Sequence, residues 1–226
     1  MASATRQLIL ASGSPRRAFL LKECGFDFII QPTNASEDFD DDTPLAEVPA
    51  LLAAHKAEAA LKTIKKNQLI LTADTVVIFN NTILNKPNTP AHAVDMLTQL
   101  SGQTHKVITA VCLVSKDYVE TIEELSWVTF RELSITDIKS YVDNFKPLDK
   151  AGAYGAQECL PENYNPCSGY ERDFLKRISN TTLLQRSKPE KNQSKPLIAI
   201  EEIAGSYFNV MGLPIAKLYD ILKAAL

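Results

Sequence analysis

Apolar and polar positions alternate along this chain in two rhythms, and the switches between them predict its elements. Apolar runs of strand length fall at Gln7–Ala11, Phe26–Gln31 and Leu69–Phe79. Helices are predicted at Pro15–Cys24, closed by Gly25, at the Ala-, Leu- and Lys-rich Pro49–Lys66, and at Pro214–Ala225. Asn80-Asn81 predicts a two-residue hairpin turn, because Asn tolerates positive φ, with Thr82–Asn85 as the return strand. Thr89-Pro90 opens a helix by placing a cap before a first-turn proline, and Gly102 stops it after Ser101. Thr104–Ser115 and Tyr118–Glu132 predict a second hairpin around Lys116-Asp117. Ser134 and Asp137 open a helix that ends near Phe145-Lys146-Pro147, and a glycine-rich loop from Asp149 to Gln157 follows. Ile198–Val210 predicts a strand pair turning at Gly205-Ser206. Strands and helices alternate, but hairpins interrupt them, so the expected class is α/β with a mixed central sheet and flanking helices.

The stretch from Glu158 to Pro196 breaks this rhythm with Pro161, Pro166, Pro189 and Pro196. Its polar end, Lys188–Lys195, predicts a mobile loop, and Phe174–Leu184 has room for one short helix. The whole stretch predicts a peripheral loop or lid that supplies no catalytic group. A chain of 226 residues suffices for one large domain or two small lobes around a cleft. A net charge of −3 offers no general attraction for nucleic acid, so an anionic ligand must be held by local positive charge. Cys24, Cys112, Cys159 and Cys167 form no CxxC pair, and His55, His92 and His105 show no HxxxH spacing. Idle thiols in a reducing cytoplasm are the expectation. No signal peptide and no membrane span is expected, since no apolar run approaches spanning length.

Candidate chemistry begins at Leu8–Arg17. An apolar run ends in Ala11-Ser12-Gly13-Ser14, with Ser14 placed as N-cap and Pro15 at the first helical position. The positive helix end, with Arg16 and Arg17, suits a polyphosphate; an ordinary capped helix with solvated arginines is the plain alternative. Asp74 sits inside the β-branched run Leu69–Phe79, where a carboxylate is costly unless paired, hydrogen-bonded or metal-bound. Lys56 is the one charge in the stripe Ala53, Lys56, Ala57, Ala60 and Ile64, placed either to snorkel or to meet an anion. An ideal hairpin puts Lys86 opposite Thr75, on the other sheet face from Asp74, so a shared site needs a bulge or an early strand end. Glu37 opens an acidic run and could add a second oxygen ligand for Mg²⁺. Lys150 and Gln157 flank Gly152 and Gly155, and Gln157 can donate and accept at a base edge.

Read in order, ASGSPRR at 11–17, AxxKA at 53–57, ADTVV at 73–77, KP at 86–87, LSGQTH at 100–105, DKAGAYGAQ at 149–157 and GSYFNVMGLP at 205–214 resemble the Maf family of nucleoside triphosphate pyrophosphatases. The resemblance implies an inosine-triphosphate-pyrophosphatase-like (Maf) fold, two lobes around a cleft in a single domain, 1–226, with a family-atypical insertion at about 158–200. It implies hydrolysis of a nucleoside triphosphate to the monophosphate and pyrophosphate, as house-cleaning of nucleotide pools, with a divalent metal cation (Mg²⁺ or Mn²⁺). Asp74 matches the catalytic proton acceptor, with Glu37 and Lys86 beside it in the catalytic set and Glu37 and Asp74 as metal ligands. Here the sequence reads Ala35-Ser36-Glu37-Asp38 rather than the family's Asp-Glu pair. Ser12, Arg17, Lys56 and Lys86 match phosphate-holding positions. Arg16, Thr75 and Gln157 match the pattern of the dTTP and UTP subgroup. The implied partner is a nucleoside triphosphate and the implied assembly a homodimer; the cytoplasm is the location expected from the cysteine usage. The other readings are a nucleotide-binding regulator of septum formation without turnover, and a purine-directed pyrophosphatase of the same fold.

Overall fold

The structure is a computed structural model and describes residues 6–161, 164–180, 182–183, 197 and 199–226. Strand β1 (Gln7–Leu10) runs parallel to β2 (Phe28–Ile30) and to β3 (Gln68–Phe79). The short β4 (Thr82–Ile83) returns antiparallel on β3. With β5 (Thr104–Val114), β6 (Val119–Phe130) and β7 (Ile200–Ala204), the described residues form one mixed sheet in the order β2-β1-β3-β5-β6-β7. The helices are α1 (Pro15–Glu23), α2 (Val48–Leu61), α3 (Pro90–Leu100), α4 (Ile135–Phe145), α5 (Gly169–Arg177), α6 (Tyr207–Val210) and α7 (Ile215–Ala225). The chain forms two compact units, and β3, β5 and β6 contribute residues to both. The first is Met1–Thr75, Thr109–Glu124 and Gly212–Leu226; the second is Val76–Ile108 and Leu125–Met211.

In the first unit, small side chains bring α2 down onto the sheet. Ala53, Ala57 and Ala60 pack in a buried cluster with Ile9, Ala11, Ile70, Ala110, Cys112 and Val114. Thr72 ties the two layers by donating its hydroxyl to the Ala53 carbonyl at 2.7 Å. The predicted helix Pro49–Lys66 stops at Leu61. Beyond it Thr63 and Ile64 bond carbonyls three residues back, at 3.1 and 3.4 Å, and Asn67 takes φ +66°. That tightening ends an α-helix and turns the chain into β3. The predicted strand Phe26–Gln31 contracts to β2.

In the second unit the predicted turn chemistry is present. Asn80 and Asn81 both have positive φ, and Phe79 pairs with Thr82 across them. Thr89 and Ser134 cap α3 and α4 by accepting the N–H groups of His92 and Asp137, each at 3.1 Å. His105 on β5 is buried against Phe130 and Tyr154, with its Nε2 2.8 Å from the Tyr154 hydroxyl. Burial pulls its imidazole down to about 3.

The segment Ile198–Val210 departs from its predicted strand pair. β7 stops at Ala204, Gly205 takes φ +130°, and Ser206 caps the short α6 by accepting the Asn209 N–H at 2.9 Å. A Cβ on Gly205 would stand 3.0 Å from the Ser126 backbone, so the turn needs glycine for space as well as for φ. The cause of the helical turn lies upstream. Glu171 on α5 is fully buried and accepts from the Ser206 hydroxyl at 2.7 Å and from the Tyr207 and Phe208 N–H groups at 3.1 and 2.9 Å. A carboxylate there satisfies the open N–H groups of α6. Glu171 also completes a capping box with Ser168 on its own helix. The stretch after Gln157 is therefore not peripheral throughout: Phe174 and Leu175 are core residues and Glu171 builds the next turn. The expected helix Phe174–Leu184 starts earlier, at Gly169, where that capping box sits. Lys188–Lys195 lies outside the described residues.

All four cysteines are free and buried, and burial raises every one of their thiols, Cys24 and Cys167 to about 12. Among the described residues no helix is long and apolar enough to cross a membrane.

Candidate active site

The turn between β1 and α1 is organised by Ser12 rather than by Ser14. Ser14 occupies the N-cap position but its side chain makes no capping bond. The Ser12 hydroxyl instead accepts the Ser14 N–H at 3.2 Å and a guanidinium N–H of Arg17 at 3.0 Å. Once Ser12 holds the turn from inside, the Ser14 hydroxyl is not needed for it. Arg16 follows as a half-buried residue at the positive end of α1.

Arg17, expected at a phosphate-holding position, is engaged by protein acceptors. Its Nε donates to the Gly212 carbonyl at 2.8 Å, one Nη to the Ala73 carbonyl at 2.8 Å and to Ser12, and the other to the Thr75 hydroxyl at 3.1 Å. Four of the five guanidinium N–H donors thus hold protein acceptors. Burial lowers its pKa to about 10, partly offset by the Asp74 carboxylate, so the group stays charged at neutral pH. Thr75, predicted as a selectivity position, is woven into the same network: its hydroxyl lies 3.0 Å from that of Thr109 on β5. Thr109 is fully buried; a hydroxyl within the apolar run of β5 was its one sequence signal. The Gly212 carbonyl gave none.

Asp74 stands on β3 with its side chain 12% exposed, and its partner is Lys56, whose Nζ lies 2.5 Å from Asp74 Oδ1. The same ammonium donates to Glu37 Oε1 at 3.1 Å. The alanines of α2 explain the reach: they seat the helix close to β3, and Lys56, in their stripe, is directed along the sheet rather than out to water. Two carboxylates on one ammonium leave one negative charge over. Asp74 and Lys56 are shielded from solvent, whereas Glu37 is half exposed.

Hard oxygen donors on two carboxylates suit a divalent cation. Among the described residues no three His, Cys, Asp or Glu side chains cluster as a ligand set. Two carboxylates fit a Mg²⁺ that completes its shell with water and phosphate oxygens, as this ion does beside nucleotides.

Lys86 and Gln157 belong to the second unit. β4 ends at Ile83, and the Leu84 N–H still reaches the Val77 carbonyl at 2.8 Å before the chain leaves β3. The return strand expected over Thr82–Asn85 thus ends early, ahead of Lys86, which is exposed. The glycine-rich loop docks on this same segment, since the Gly152 N–H donates to the Leu84 carbonyl at 3.0 Å. Gln157 is exposed on a one-turn 3₁₀ helix, Ala156–Glu158.

The profile of the family described as Maf-like protein matches residues 7–162. A protein of Bacteroides thetaiotaomicron named dTTP/UTP pyrophosphatase is 36% identical over 218 residues, which is 96% of this chain and 95% of that one. One of Christiangramia forsetii with the same name is 36% identical over 220 residues, covering 97% and 94%. The Staphylococcus aureus Ham1 protein superposes with a TM-score of 0.42 at 12% identity over 55% of this chain and 72% of its own, too distant a likeness to carry an argument. The profile match and relatives alike along nearly their whole length place the chain in one family: it belongs to the Maf-like proteins.

Proposed function

We propose that this chain hydrolyses nucleoside triphosphates, dTTP and UTP foremost, to the monophosphate and pyrophosphate. The observation that carries the reading is the buried carboxylate of Asp74 joined through Lys56 to Glu37. The relatives named dTTP/UTP pyrophosphatase support it from outside the structure. Hydrolysis breaks the anhydride link between the α and β phosphates. A water molecule supplies the new oxygen and must lose a proton, and Asp74 is the acceptor. A triphosphate carries more negative charge than the two carboxylates together, so it competes for the Lys56 ammonium. Drawing that ammonium onto phosphate oxygens uncovers Asp74 for the proton and places positive charge where the leaving pyrophosphate develops its own. Glu37 and Asp74 would hold the divalent cation, which neutralises phosphate charge when bound.

Ser12, Arg16 and the positive end of α1 serve the phosphates, and the motif that carries Lys86 assigns it to them as well. Arg17 supports the site by fixing Ser12, Ala73 and Thr75 rather than by offering a free fork. Gln157 reads the base: its amide offers a donor and an acceptor, which can meet the O4 and N3–H of thymine or uracil. Pyrophosphate release measured with Mg²⁺ across dTTP, UTP, CTP, ATP and GTP tests the reading. The expected order puts dTTP and UTP first, with activity lost on chelation and restored by Mg²⁺. Equal or faster turnover of ATP or GTP would overturn the substrate assignment, and no turnover of any triphosphate would overturn the reaction.

A further inference from the structure

From Gly152 to Ala156 the glycine-rich loop is buried, and then a single residue, Gln157, turns outward. The 3₁₀ turn that carries it is closed by backbone bonds from Glu158 N–H to Gly155 O at 3.0 Å and from Cys159 N–H to Ala156 O at 3.2 Å. One turn of this kind is weak by itself. Its rigidity comes from a side-chain clamp. Glu158 accepts the Tyr141 hydroxyl at 2.5 Å through one carboxylate oxygen, and Lys150 Nζ lies 3.6 Å from the other. The Tyr141 oxygen in turn accepts the Gly155 N–H at 3.0 Å. The residue two before Gln157 and the residue after it are thus bonded to the same phenol oxygen. That oxygen belongs to a packed side chain: Tyr141 is 2% exposed and stacks on Phe145 of α4 with ring centroids 5.0 Å apart. Gly155 makes the clamp possible: a Cβ there would lie 2.8 Å from the Glu158 carboxylate. Downstream, the Cys159 carbonyl accepts N–H bonds from Ala199 and Ile200 at 3.1 and 2.9 Å, which closes the far side of the turn.

We propose that Tyr141, Glu158 and Lys150 are positioning residues for base selection, because they fix the turn that presents Gln157. The inference rests on the reading of Gln157 as the base-contacting residue. Hydrogen-bond discrimination between bases depends on distance and angle, so a turn that rocks loses selectivity before it loses chemistry. None of the three needs to touch the nucleotide.

The test compares kcat/KM for dTTP and for ATP, with Mg²⁺, in full-length Tyr141→Phe, Glu158→Gln and Gln157→Ala. Gln157→Ala is expected to collapse the dTTP-to-ATP ratio. Tyr141→Phe should lower that ratio by roughly tenfold, the scale of a partly lost polar contact. Glu158→Gln should move it in the same direction, with the loss lying in KM for dTTP more than in kcat. A merely structural defect reduces the active fraction for both nucleotides equally and leaves the ratio where it was. Should Tyr141→Phe fail to fold, Glu158→Gln decides, since it keeps the side chain's size while removing the charge that faces Lys150 and strengthens the bond from the Tyr141 hydroxyl. Folded Tyr141→Phe and Glu158→Gln proteins with the wild-type ratio, beside a collapsed Gln157→Ala, would overturn the positioning role and leave the reading of Gln157 standing. An unchanged ratio in Gln157→Ala would overturn that reading and, with it, this inference.

Discussion

Changing Asp74 to Asn removes the charge that Lys56 pairs with while keeping the side chain's shape on β3. The expected result is a folded protein with turnover reduced by about 10² to 10⁴, the usual cost of losing a general base. Circular dichroism checks the fold and pyrophosphate release checks the rate; near-native turnover would remove Asp74 from its assigned role. Arg17→Ala has a different signature. It strips hydrogen bonds from the Gly212 and Ala73 carbonyls and from Ser12 and Thr75. The expected loss is about 3 kcal/mol of stability by urea unfolding, with dTTP and UTP turnover impaired by similar factors. Unchanged stability would return Arg17 to the phosphate-binding role expected from its motif. The difference in legibility between these residues is physical. Asp74 and Lys56 stand out in the sequence because a charge in an apolar run requires a partner. Two of the four partners of Arg17 are backbone carbonyls, one as far away as Gly212, and a carbonyl has no sequence signature.

At the level of elements, local signals mark several turns that depend on their own residues, though not the start of α1, where Ser12 and not Ser14 holds the turn. The paired asparagines at 80 and 81, the Thr89-Pro90 start and the Ser134 cap all lie where their chemistry put them. The segment after Ala204 was misread because its conformation is decided by Glu171, which is distant in sequence. Glu171→Ala should therefore cost about 3 kcal/mol, because it leaves the buried N–H groups of Tyr207 and Phe208 without their acceptor. Glu171→Gln should cost less, since an amide oxygen still accepts. Urea titration of both variants checks the order; equal stability of wild type and Glu171→Ala would show that the carboxylate does not hold α6. For the same reason, replacing residues 162–196 by a Gly/Ser linker is expected to destabilise the second unit. That outcome differs from what the proline-rich, polar composition of the stretch suggests.

For the molecule as a whole, the buried His105 links stability to acidity. Its pKa is near 6.5 when exposed and is lowered to about 3 in the folded chain. Between those values the unfolded chain binds a proton that the folded chain does not, so acid favours unfolding. The contribution is complete above pH 6.5 and is lost as pH falls from 6.5 toward 3, with a slope of about 1.4 kcal/mol per pH unit inside that window. Urea unfolding at pH 7 and pH 5 should show this loss in the wild type and a smaller one in His105→Gln; identical losses would exclude His105 as the cause. The overall class and the mixed sheet were legible from the alternation of strands, helices and hairpins, and the family from motif order; two lobes were expected, but where the chain divides was not legible. Strands β3, β5 and β6 each belong to both units, so no linker marks the boundary. The buried cysteines turn that division into something measurable. Cys24 and Cys112 lie in the first unit, Cys159 and Cys167 in the second, and all four thiols are shielded and held in their unreactive protonated form. An alkylating reagent applied under native conditions can modify each sulfur only when its surroundings open. The order in which the four acquire label is then a built-in record of which half of the protein loosens first.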